Sequence, residues 1–275
     1  MTAETVTGDD AAATPAARRR PTGKKRPYES GFDLSHYEFG VRRLAAVSCV
    51  IAFAVGLWSM GSTAPRVLAV LVVVEAGLMI LPWRVPRTMR SGVSFWAETL
   101  AGLVAPIGAL VLTAVTRPDW LTKGADWWWY PVAVATTVGL IAVSNMRMKS
   151  LLSGELAFVF GPTPRAHGAA RAFASAVCPV GEEAVFRAPV LLAGATTPLG
   201  LLGAIAFVAR HHIQPGTNRR GTTRSMAVEI SAAVALLFLT MASGSLYPAL
   251  LAHVLNNIPT IVLELQRDDD DRGWS

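Results

Sequence analysis

Three short patterns in the C-terminal half of the chain set acid, base and amide groups at helical spacing. The stretch Val180-Gly181-Glu182-Glu183-Ala184-Val185-Phe186-Arg187 holds three ionisable residues within six positions. Glu183 and Arg187 stand at i and i+4, neighbours on one helix face with the acid N-terminal to the base, so they can neutralise each other. Glu182 is turned about 100° from Glu183 and has no such partner on its own helix. It must find one elsewhere or hold a proton, which makes it the candidate general base. Phe207 and His211 share a face one turn apart, as do His253 and Asn257. A carboxylate, two imidazoles and an amide from three helices can deprotonate water and hold a developing oxyanion, the two demands of peptide-bond hydrolysis. The same residues could instead form a buried polar network that fixes helix packing.

Groups of this kind need rods that hold them at depth in an apolar medium, and the composition supplies such rods. The 275 residues are 52% apolar and 16% charged, with a mean hydropathy of +0.41; a soluble domain carries about 25% charge. Residues 1–43 alone hold 14 of the charges, so the rest is drier still. Apolar runs of about 20 residues, enough for a ~30 Å hydrocarbon core, recur from 44 to 266. They predict an all-α fold, a polytopic transmembrane helical bundle of about eight spans near 44–61, 66–83, 97–116, 129–146, 169–196, 198–213, 226–244 and 247–266. The expected organisation is a disordered basic tail over 1–40, four helices over 41–164, a chemical core over 165–266 and an acidic tail over 267–275. Residues 1–40 hold no long apolar run, so no cleavable leader is expected. No internal repeat is read.

Lys and Arg decide orientation. Under strict alternation 21 fall on one side and three (Arg66, Arg117, Lys123) on the other, with Arg187 inside a span. That split predicts a multi-pass protein of the cell membrane with both termini cytoplasmic. It also assigns the net charge of +6 to a lipid surface rather than to nucleic acid, the tail at 18–26 above all. For span 169–196 to bring Glu182 level with His211, at the inner end of its own helix, the rods must tilt, break near Pro189, or start deep in the bundle.

The remaining candidates read as ordinary structure. Trp127, Trp128, Trp129 and Tyr130 form an interfacial anchor, and Asp268 to Asp271 a solvated run. Cys49 and Cys178 are packed thiols without metal-like spacing, His212 an interfacial or packing residue, and His36 and His167 solvated. Glu75, mid-span without a local partner, serves packing or a proton path. Glu98, Glu229 and Glu264 lie nearer span ends, within reach of the interface, and are assigned no chemistry.

The motifs together resemble the CPBP intramembrane proteases, which include the CAAX-processing endopeptidases and the bacterial Abi proteins. The family pattern, Glu-Glu-x-x-x-Arg, Phe-x-x-x-His and His-x-x-x-Asn or Asp, is met in order by Glu182, Glu183 and Arg187, by Phe207 and His211, and by His253 and Asn257. The resemblance covers about residues 165–266. It implies an intramembrane endopeptidase acting on a membrane-associated protein or peptide: Glu182 and His211 activate water, His253 and Asn257 stabilise the oxyanion, and Glu183, Arg187 and Phe207 support them. Glu182, His211 and His253 are also a ligand set found at catalytic zinc, and a metal-free mechanism uses the same residues, so both stay open. Two other classes compete: a catalytically silent scaffold or immunity-type binding protein of the same family, and a transporter with a proton relay, which the lack of matching broken helices disfavours.

Overall fold

The computed structural model describes residues 41–80, 92–116, 123–193, 198–213 and 223–267. The expected tail over 1–40, His36 and the run Asp268 to Asp271 lie outside them. The described residues belong to one compact unit and form twelve helices with no strand among them. In chain order these are α1 (Val41–Ser59), α2 (Thr63–Ile80), α3 (Gly92–Ala101), α4 (Val104–Thr116), α5 (Trp129–Ser144), α6 (Met148–Leu152), α7 (Glu155–Phe160), α8 (Arg165–Phe186), α9 (Ala188–Ala193), α10 (Pro198–His211), α11 (Thr223–Ser243) and α12 (Tyr247–Gln266).

Helices occupy all eight expected positions, but they are not eight uniform rods. Three are long and apolar enough to cross a membrane: α2, the Met226–Ser243 part of α11, and α12. A fourth arises if α3 and α4, bent by 57° at their junction, count as one span. The apolar stretches of α1, α5 and α10 are shorter; the 14 residues of α10 reach about 21 Å. Much of the outward surface is apolar, with Val55, Val138, Val234 and Phe238 all exposed. Water does not favour such a surface and hydrocarbon does.

Prolines set the breaks. Pro106 cannot donate the N–H that would close the turn onto the Gly102 carbonyl, and α3 and α4 part there. Pro189 likewise leaves the turn at Val185 unclosed, and the expected fifth span divides at Arg187 into α8 and α9. Pro179 sits inside α8 without ending it, freeing the Ser175 carbonyl.

One apolar core joins α1, α2, α4, α8 and α10 around Phe53, Leu57, Val185, Phe186 and Phe207. A second joins α5, α11 and α12 around Trp129, Leu236 and Leu239. Close approach at small residues brings the backbones together. A Cβ on Gly203 would lie 2.6 Å from the Phe186 carbonyl oxygen, and one on Gly181 equally close to the Pro106 oxygen. These two crossings fix where α10 and α4 meet the end of α8 that carries the acid pair.

Several expectations are corrected here. Trp127 and Trp128 are exposed, as an anchor requires, but Trp129 is only 8% exposed, because the first turn of α5 faces α11. His167 stacks on Phe95 at 4.3 Å instead of standing in water, since the start of α8 lies against α3. Glu264 is buried between Arg171 and Arg267 and does not reach a surface. Arg210, counted above among the inner-segment charges, is buried in the bundle.

Candidate active site

The acid pair lies in the last turns of α8, where Glu182, Glu183 and Arg187 are all buried. Glu183 meets Arg187 at 3.5 Å, one turn on, and the guanidinium lies 4.1 Å from the centre of the Phe207 ring. A desolvated cation over a ring face gains more than an exposed one. The same ring packs edge-on against His211 at 4.9 Å and against His253 at 5.7 Å. Phe207 is therefore the common wall on which both imidazoles and the Arg187 guanidinium rest.

The two histidines are held differently. His253, on α12, places Nδ1 2.7 Å from Glu183 Oε1, and its Nε2 faces Glu182 Oε2 at 3.7 Å. Because a carboxylate only accepts, Nδ1 carries a proton and donates it to Glu183. His211, at the end of α10, turns Nδ1 to the Phe207 carbonyl at 2.8 Å. That bond likewise fixes its proton on Nδ1 and leaves the Nε2 lone pair available. No hydrogen bond joins His211 to Glu182, so the structure brings Glu182 to His253 more closely than to His211.

Asn257 follows His253 by one turn, and its Nδ2 donates to the Ser175 carbonyl at 3.2 Å. This is the carbonyl that Pro179 leaves free, so the helix defect supplies the acceptor that orients the amide. The second Nδ2 hydrogen remains for another acceptor.

Glu182 finds its partners in residues that the motif reading did not select. Its Oε1 accepts from Arg210 Nη1 and from Cys178 Sγ at 3.0 Å. Cys178 precedes Glu182 by one turn of the same helix, so the expectation that α8 offers it nothing is corrected. Arg210 also donates through Nε to Glu75 Oε1 and through Nη2 to the Gly102 carbonyl at 2.6 Å, the group freed by Pro106. Glu75 Oε2 in turn accepts the Ala105 N–H at 2.6 Å, one of the orphan donors at the start of α4. One signal was readable: the i, i+4 spacing of Cys178 and Glu182.

The zinc alternative asks for Glu182, His211 and His253 on one ion. Among the described residues no three His, Cys, Asp or Glu side chains are grouped to hold a metal ion. One oxygen of Glu182 is occupied by Arg210, so a divalent cation on that carboxylate would lie beside a guanidinium and be repelled.

Comparison with known proteins agrees with the motifs. Residues 168–259 match the family model described as Type II CAAX prenyl endopeptidase Rce1-like. The matched segment contains Glu182, Glu183, Arg187, Phe207, His211, His253 and Asn257. No curated protein and no solved structure gives a significant match to the chain.

Proposed function

We propose that the chain is a multi-pass intramembrane endopeptidase that hydrolyses a peptide bond in a membrane-associated protein or peptide by a glutamate-dependent, metal-free route. The observation that carries the reading is the pairing of Glu182 Oε2 and His253 Nε2 at 3.7 Å, from different helices, with the far side of His253 anchored to Glu183. The mechanism takes His253 as the doubly protonated donor to the oxyanion.

In that form each group has one task. Glu182 Oε2 takes a proton from water as the oxygen attacks the scissile carbonyl, with the free Nε2 of His211 orienting the other water hydrogen. The protonated Nε2 of His253 and the spare Nδ2 hydrogen of Asn257 donate to the oxyanion. Glu182 then passes its proton to the leaving nitrogen as the C–N bond breaks. Glu183 holds His253 in place, and Arg187 neutralises Glu183. The bundle crosses the membrane about eight times, with both termini on the cytoplasmic side as the Lys and Arg distribution requires. The matched family's description makes prenylated CAAX peptides the first substrate class to try.

The test is cleavage of internally quenched membrane peptides, one of them prenylated at a C-terminal CAAX cysteine, by purified protein in lipid vesicles. Glu182→Gln keeps size and hydrogen bonding and removes the base. It should lower the rate by about 10²–10⁴-fold. Dialysis of the parent protein against a chelator should leave the rate unchanged. An active Glu182→Gln protein, or activity lost on chelation and restored by zinc, refutes the mechanism.

A further inference from the structure

Arg210 is only 8% exposed, and each nitrogen of its guanidinium has an acceptor: Glu75 for Nε, Glu182 and Cys178 for Nη1, the Gly102 carbonyl for Nη2. Those acceptors come from α2, from α8 and from the break between α3 and α4. Glu75 and Gly102 lie far outside residues 168–259. Glu75 is itself fixed at both oxygens, by Arg210 and by the Ala105 N–H. The chain of contacts thus runs from the start of α4 through Glu75 and Arg210 to one oxygen of Glu182, and it leaves the other oxygen turned to His253.

We infer that Glu75 and Arg210 are positioning residues for the base of the reaction, so that α2 and the α3–α4 break are working parts of the site; this rests on the proteolytic reading above. A carboxylate free to rotate offers either oxygen to water, whereas one clamped at Oε1 offers only Oε2. Planar, forked donation suits Arg210 to this task, because its three nitrogens reach Glu75, Glu182 and the Gly102 carbonyl from separate positions, whereas the three donors of a lysine all radiate from one atom. A cluster that served packing alone would alter stability and leave turnover by the folded protein unchanged. A clamp on the base alters turnover itself.

Glu75→Gln and Glu75→Asp separate the two, each in a Cys49→Ser background, where Cys178 is the sole cysteine. Gln removes the charge that holds Arg210; Asp keeps it but is too short to reach both Arg210 and the Ala105 N–H. With the best-cleaved peptide of the panel, kcat should fall about 10–100-fold in the Gln variant and less in the Asp variant, with KM within about twofold. Alkylation of Cys178 by N-ethylmaleimide should quicken in both, because the thiol loses its fixed neighbours. Unchanged kcat in folded protein, unchanged alkylation, or failure of both variants to fold overturns the inference. The two readings fail separately: if Glu182→Gln is as active as the parent, the hydrolytic assignment falls while alkylation still reports on the clamp.

Discussion

Glu183 and Arg187 carry opposite charges where neither meets water, so removing one is worse than removing both. Truncation of the cation in Arg187→Met leaves a buried carboxylate held by His253 Nδ1 alone and should cost up to about 3–5 kcal/mol. Glu183→Gln added to it should recover part of that loss, because the stranded charge goes with it. Thermal unfolding in detergent of the two single variants and the double variant measures the coupling. Additive losses would mean that the 3.5 Å contact contributes nothing. Activity should stay low in the double variant, since Glu183 also anchors His253. This pair was legible from spacing alone, because an i, i+4 contact is a property of one helix. The partner of Glu182 was not: Arg210 stands at the end of a short helix next to a connecting segment, where counting reads a cytoplasmic charge. Only the packing of α10 against the end of α8 and the position of Glu75 on α2 turn it inward.

Helix defects do as much for the site as helix faces do. Pro106 and Pro179 each remove one N–H, and each freed carbonyl is taken by a side chain at the site, Gly102 by Arg210 and Ser175 by Asn257. Pro179→Ala restores the missing donor and closes the Ser175 turn within α8, so the amide of Asn257 loses its fixed acceptor. The variant should be more stable, by up to about 3 kcal/mol for a proline removed from a helix interior, and yet slower in kcat. Opposite signs in melting temperature and turnover are the expected signature; turnover equal to the parent would show that the Ser175 contact does not orient the amide. Hydropathy made 97–116 and 169–196 look like continuous spans because it counts apolar side chains and ignores backbone donors. The prolines within them were visible in the sequence, and a break near Pro189 was one of the three ways considered for bringing Glu182 level with His211. What spacing could not supply was the direction of each bend, which depends on Gly181 meeting Pro106 and Gly203 meeting Phe186.

The expected boundary at residue 164 separated four supporting helices from a chemical core, yet the apolar core runs across it, with α1, α2 and α4 packed on α8 and α10. Motifs mark where reacting groups lie; they carry no information on which distant helix holds them from behind, and here that helix brings Glu75. The matched segment, residues 168–259, should therefore be insufficient by itself. A chain beginning at Asp126 keeps every motif residue but lacks Glu75, the Gly102 carbonyl and the apolar face that covers Phe186 and Phe207. In vesicles it should show no cleavage of the peptide panel. Helices inserted separately can still associate by packing and interhelical hydrogen bonds, so co-expression with residues 1–122 should restore cleavage and allow the two pieces to be purified together. Restoration should fail when the N-terminal piece carries Glu75→Gln, although the pieces still co-purify, because the apolar contacts remain and only the hold on Arg210 is gone. If the C-terminal piece cleaves at the parent rate unaided, the N-terminal helices are a mere anchor and the reaction belongs to α8, α10 and α12 alone.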